Sequence, residues 1–202
     1  MIKNIIFDFG NVLGWTLADY TTKTYVTDPE EQKLIRKVVF DPQDWDLLNR
    51  GKMTDEEMLK KVCAQLPEHL WEDACIVYNN WTNTATPVPG MIRLVKELKE
   101  KGYKMYLLSN ATDTFAEKYK DIPWMCSILD RFDGLVFSAK VGMAKPDREI
   151  YEYVLDTYHL KAEETMFVDD YKENIEACEK VGITGYHFDQ NAQKLKAFIE
   201  TH

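Results

Sequence analysis

The chain opens on a compact apolar run, Ile5-Ile6-Phe7, that stops at a carboxylate, Asp8, and then at a glycine, Gly10. A short apolar run bounded by a turn signal predicts a buried β-strand. Residues 15–84 follow a different rhythm. Leu34, Ile35, Val38 and Val39 fall on one helical face. Asp41-Pro42 opens a helix carrying Trp45 and Leu48, which Gly51 closes. Thr54-Asp55-Glu56-Glu57 is a capping box ahead of Met58, Leu59, Val62, Cys63 and Leu66. Leu70, Ala74, Val77 and Trp81 continue the helical spacing. The stretch predicts a small all-helical bundle with almost no strand.

From Thr86 onward the pattern alternates. Pro89-Gly90 leads into a helix with Ile92, Val95 and Leu98, ended by Gly102. A strand over Tyr103–Leu108 runs into Ser109-Asn110, and a helix follows from Thr112 or Asp113. Leu129–Phe132 fits a short helical turn, Leu135–Phe137 a short strand, and Asp147 a cap on a helix with Ile150, Tyr151, Val154 and Leu155 inside. Thr165–Val168 reads as a strand ending in Asp169-Asp170, Tyr171–Val181 as a helix, Ile183–Phe188 as a strand, and a last helix starts near Ala192. Strands alternating with helices predict an α/β core: a parallel, Rossmann-like sheet with helices on both faces. The expected organisation is a core of residues 1–14 and 85–202, with a helical insertion of residues 15–84 after the first strand.

Composition narrows the partners more than the fold. The 202 residues carry 45% hydrophobic and 29% charged side chains, as an ordinary globular protein does. A net charge of −9 with no Lys/Arg-rich run argues against a nucleic-acid or anionic-membrane surface. A small anionic substrate stays compatible, since a site makes its own local field. No apolar run approaches the roughly 18 residues of a membrane span, and no leader pattern precedes the first strand. Cys63, Cys75, Cys126 and Cys178 form no C-x-x-C pair, so a reducing cytoplasm is the expected compartment. His69, His159, His187 and His202 form no constellation. Oligomeric state is not legible.

Four strand ends carry polar residues: Asp8; Ser109-Asn110; Lys145 in the loop Gly142–Asp147; and Asp169-Asp170. Singly, each has an ordinary reading as a turn, helix cap or solvated loop residue. In a parallel sheet all four gather at one edge, where open α/β proteins bind ligands. Two acidic sites, a hydroxyl, helix-start amides and a lysine suit phosphate and Mg²⁺.

Asp8-Phe9-Gly10-Asn11-Val12, Leu107-Leu108-Ser109-Asn110, Lys145-Pro146 and Phe167-Val168-Asp169-Asp170 resemble, in order, the four motifs of the haloacid dehalogenase superfamily. The helical insertion resembles that family's cap. Asp8-x-Gly10-Asn11-Val12 with Gly142-Met143-x-Lys145-Pro146 resembles the bacterial branch that includes α-D-glucose-1-phosphate phosphatases. The resemblance implies a Mg²⁺-dependent phosphatase acting on a small phosphorylated metabolite, a sugar phosphate by that branch. Asp8 would be the nucleophile. Asp8, Asp169, Asp170 and the Gly10 carbonyl would hold the metal. Ser109, Asn110 and amides near Gly10 and Asn11 would bind phosphoryl oxygens, and Lys145 would offset charge there. Asn174 would brace Asp169 or Asp170, and Asp113 and Asp147 read as helix caps. Tyr20, Trp45 and Arg50 either face the substrate or pack.

Most phosphatases of that family carry a second Asp two residues after the nucleophile, where this chain has Gly10. General acid–base catalysis is typically worth about 10²–10⁴ in rate. A good leaving group, another proton source, or loss of turnover would each accommodate the glycine. Two other readings remain at this point. One is a metal-independent 2-haloacid dehalogenase, which also lacks the second Asp. The other is a non-catalytic protein binding a phosphorylated ligand or a partner. The acidic pair Asp169-Asp170 favours metal and phosphate.

Overall fold

The structure, a computed structural model, describes all residues 1–202. Five parallel strands form the central sheet: β1 (Asn4–Phe7), β4 (Lys104–Ser109), β5 (Gly134–Phe137), β6 (Thr165–Asp169) and β7 (Thr184–His187), in the order β5-β4-β1-β6-β7. β1 is central, with Phe7 in register with Leu107 on one side and Val168 on the other. The chain leaves β1 for β4 and β5 on one flank, then crosses back to β6 and β7 on the other. That reversal makes the carboxyl end of β1 the switch point, where α/β sheets leave a crevice.

Side chains alternate across the strands, so each strand feeds two cores. Ile5, Phe7, Met105, Leu107, Met166 and Val168 share one core with α6 (Met91–Glu100), α8 (Pro123–Leu129) and α12 (Ala192–Thr201). Ile6, Tyr106, Leu108 and Phe167 face the opposite way, against α10 (Arg148–Thr157) and α11 (Lys172–Glu179). The near-continuous apolar runs in the sequence follow from this burial on both faces.

Between β1 and β4 stand α1 (Ala18–Tyr25), α2 (Pro29–Val39), α3 (Pro42–Asn49), α4 (Asp55–Gln65) and α5 (Trp71–Asn80). They close on a core of their own, twelve buried residues that include Ile35, Val39, Met58, Val62 and Val77. The expected capping box is present: Thr54 Oγ1 accepts from the Glu57 amide, and Glu57 accepts from the Thr54 amide. The chain enters and leaves this block through a two-residue antiparallel ribbon, β2 (Gly14–Trp15) with β3 (Thr86–Pro87). A Cβ at Gly14 would lie 2.7 Å from Trp124 and 2.9 Å from Phe9, so the ribbon sits on the core only with glycine there. No helix is long and apolar enough to cross a membrane.

Local details depart from the sequence expectations. The turn expected over Leu129–Phe132 is the end of a helix that begins at Pro123, a residue well suited to a first helical turn. A four-residue helix, α9 (Ser138–Val141), fills the segment after β5. Thr112, not Asp113, caps α7 (Asp113–Lys118) by accepting from the Phe115 amide. Asp113 pairs instead with Lys140 at 3.1 Å. Asp147 stands at the start of α10 but makes no side-chain cap bond. Its carboxylate takes Arg50 from α3, which also pairs with Asp46. Ser138 Oγ donates to the Asn49 carbonyl, and Thr114 Oγ1 donates to Asp55 at 2.6 Å. These three contacts tie the helical block to the edge of the sheet where the polar motifs lie.

Candidate active site

Asp8 follows directly on β1, its amide donating to the Val168 carbonyl at 2.9 Å. Its Oδ1 accepts from the Phe9 amide at 2.7 Å and pairs with Lys145 Nζ at 2.8 Å. The same Nζ reaches Asp169 Oδ2 at 2.7 Å. Asp169 is fully buried at the end of β6, and Lys145 is 3% exposed. Lys145 lies in the loop before α10 and is placed there by Asn110. Asn110 Nδ2 donates to the Lys145 carbonyl, and the Lys145 amide donates to Asn110 Oδ1, both at 2.9 Å. The second motif therefore positions the third.

Asp169 is held on all sides. The Tyr171 amide donates to Oδ1 at 2.8 Å, and Asn174 Nδ2 lies 3.0 Å from both oxygens. The bracing expected of Asn174 is real and selects Asp169. Asp170 is half-buried and accepts from Asn11 Nδ2 at 3.0 Å. Asn11 takes a left-handed conformation (φ 52°), and its amide donates to the Gly14 carbonyl at 2.9 Å. That amide is committed to the turn, which corrects the expectation that it binds phosphate. The Asn110 amide has no intramolecular acceptor, and Ser109 Oγ has no partner.

Burial pushes the Asp8 carboxyl up to about 7, with Lys145 opposing the shift and the charge of Asp169 adding to it. Burial works against the Lys145 ammonium, but Asp8 and Asp169 outweigh it and hold its pKa above the ordinary lysine value. Asp170 is raised by burial first, and further by Asp169. Asp8, Asp169 and Asp170 each offer an oxygen within 4.8 Å of the others. Three carboxylates face one ammonium, so the cluster has oxygen donors and negative charge to spare. That is the donor chemistry of a hard divalent cation. The Gly10 carbonyl accepts no hydrogen bond within the chain and lines the same cavity.

Two adjoining cavities meet over the cluster. One, of about 380 Å³, is lined by Asp8, Asn11, Lys145 and Asp170. The other, of about 430 Å³, extends towards the helical block. Gly10, Asn49, Ser109, Asn110 and Tyr171 line both.

A family model described as haloacid dehalogenase-like hydrolase matches residues 2–182. The chain belongs to the haloacid dehalogenase-like hydrolases. Among similar proteins, this hydrolase is 32% identical over 187 residues to the sesquiterpene phosphatase astK of Aspergillus oryzae, covering 92% of the chain and 89% of that protein. It is 27% identical over 214 residues to the D-ribitol-5-phosphate phosphatase of Bacteroides thetaiotaomicron, covering 95% and 94%. A HAD family enzyme of Bacteroides thetaiotaomicron, solved with magnesium and inorganic phosphate, shares the fold. Its TM-score is 0.70 at 21% identity, over 92% of this chain and 93% of that one.

The cavities are also lined by residues to which the sequence patterns assigned no role. Phe9, Asn49, Trp81 and Tyr171 line the cavities: Phe9 stands inside the first motif with no role of its own, Trp81 and Tyr171 read as ordinary helical residues, and Asn49 falls in no pattern. Trp45 both packs and lines the larger cavity. Tyr20 is 54% exposed and lines neither, and Arg50 is taken up by its two aspartates.

Gly10 is not required by the backbone. Its φ is not positive, and a Cβ there would meet only Asp8 Oδ2, at 4.0 Å. Gly→Ala at a compatible site gains about 0.4–1 kcal/mol by restricting the unfolded chain. Thermal denaturation of Gly10→Ala is therefore expected to show a Tm about 1–4 °C higher. A fall of several degrees would mean that the turn needs glycine.

Proposed function

We propose that this hydrolase is a Mg²⁺-dependent phosphomonoesterase acting on a small phosphorylated metabolite through an aspartyl-phosphate at Asp8. The observation that carries the reading is the buried Asp8–Lys145–Asp169 array with Asp170 beside it, opening on an unpartnered hydroxyl and amide at Ser109 and Asn110. Asp8, Asp169, Asp170 and the Gly10 carbonyl would hold Mg²⁺, which would offset phosphoryl charge when bound. Asp8 attacks phosphorus, an Oδ–P bond forms, and the bond to the leaving oxygen breaks. Water then attacks the phosphoryl group, and the Oδ–P bond breaks to release phosphate. Ser109 Oγ and the Asn110 amide donate to phosphoryl oxygens, and Lys145 stabilises charge between Asp8 and phosphate. With no acid at position 10, the leaving oxygen takes its proton from water or from the substrate. The helical block acts as the cap over this chemistry.

The organic part of the substrate is the finer question. The sequence resemblance favours a sugar phosphate, and the ribitol-5-phosphate relative supports that class. The sesquiterpene phosphatase relative supports a different one. A phosphometabolite panel with millimolar Mg²⁺ is expected to show phosphate release that chelation abolishes. Mg²⁺ is also expected to raise the Tm progressively with its concentration, since it binds the folded state. Absence of release from every compound, or halide release from 2-haloacids without metal, would overturn the phosphatase reading.

A further inference from the structure

The larger cavity is walled by aromatic rings. Phe40 stacks on Trp45 at 5.8 Å, and Trp45 meets Trp81 edge-on at 5.2 Å. Trp81 stacks on Phe115 at 5.6 Å, and Phe115 meets Phe9 at 4.7 Å. The five rings make one continuous surface. It begins in the helical block and ends on the residue after Asp8. No charged side chain lines this cavity.

Several polar groups along the wall are already committed, while the Asn49, Ser109 and Tyr171 side chains, which are free, lie where the two cavities join. Thr21 Oγ1 donates to the Leu17 carbonyl at 3.1 Å and shares a hydrogen bond with Thr84 at 2.6 Å. Thr112 Oγ1 caps α7, and Trp45 Nε1 donates to the Val39 carbonyl at 2.8 Å. The Asn110 amide group is tied to the Lys145 main chain. A polyol seated against the ring faces would leave water without replacement partners there, which is unfavourable for each hydroxyl so placed. A hydrocarbon would lose nothing and would gain by leaving water. The wall also has no cation for a second anionic group.

Resting on the phosphatase reading, we infer that the alcohol carried by the phosphate is a compact hydrocarbon body, aliphatic, alicyclic or aromatic, seated on the Phe40–Trp45–Trp81–Phe115–Phe9 wall. This departs from the sugar phosphate that the motif resemblance implies. Those motifs line the phosphate end and contribute only Phe9 to the wall.

The test is a series of n-alkyl phosphates from ethyl to decyl, with ribitol 5-phosphate and glycerol 1-phosphate, assayed for phosphate release with Mg²⁺. Acetyl phosphate, too short to reach the wall, reports on Asp8 alone. The ratio kcat/KM is expected to climb by up to about fourfold per methylene until the cavity fills, the equivalent of one buried methylene each. Polyol phosphates are expected to lie at least about tenfold below butyl phosphate. Trp45→Gln is expected to flatten the climb and Trp45→Phe to restore it. Cleavage of acetyl phosphate with a flat alkyl series, or with polyols preferred, overturns this proposal and leaves the phosphatase standing. Loss of all release, acetyl phosphate included, overturns both.

Discussion

Asp8→Asn is expected to abolish phosphate release while making the metal-free protein more stable. Loss of the nucleophile is expected to lower kcat by at least about 10⁴-fold. The stability gain comes from the same carboxylate. Burial lifts the Asp8 pKa from 3.8 to about 7, so the folded state holds a proton that the unfolded chain gives up. Stability is then full below about pH 4 and falls as pH rises through 7, because ionised Asp8 is costly where it lies. Asparagine keeps the shape and removes that cost. In chelator, Asp8→Asn is expected to melt about 2–6 °C above wild type at pH 8 and level with it at pH 4. Equal melting at both pH values would show that Lys145 fully compensates the charge.

Lys145→Met should have the opposite sign and a larger size. Lys145 Nζ stands between Asp8 and Asp169, at 2.8 and 2.7 Å. Without it two buried carboxylates face each other with no cation, and removing one partner of a buried pair typically costs about 3–5 kcal/mol. Chemical denaturation of the metal-free variant is expected to show a loss of that order, growing from pH 5 to pH 8. Added Mg²⁺ is expected to recover part of it. A loss below about 1 kcal/mol would mean that water reaches the cluster freely.

Why the phosphate end was legible and the alcohol end was not has a physical basis. Asp8, Ser109 and Asp169 sit at or just beyond strand ends, and parallel register converts sequence order into spatial convergence. Position along the chain is then enough to bring these three together, while Lys145, beyond α9 in the loop after β5, is held among them by Asn110. Asn174 was legible for a related reason, one helical turn beyond Asp169. The aromatic wall has no such rule. Phe40 ends α2, Trp45 lies in α3, Trp81 follows α5, and Phe115 belongs to α7. Each satisfies its own helix's apolar pattern, and nothing in that pattern says that its outer edge faces a cavity. Asp147 misled for the opposite reason. Its position is a helix cap, but Arg50, distant in sequence, supplied a stronger partner than the amides.

The two crossings between the helical block and the sheet lie side by side, Gly14 opposite Pro87 and Trp15 opposite Thr86. The ends of the inserted segment are thus one strand spacing apart, about 5 Å. A segment with its own apolar centre and adjacent ends is exchangeable: another can be spliced at the same two points without disturbing the strand ends that carry Asp8, Ser109 and Asp169. Three of the five wall rings, Phe40, Trp45 and Trp81, would leave with it, while Phe9 and Phe115 would stay. Most of the aromatic wall is thus carried by a part of the chain separable from the strands that carry the carboxylates.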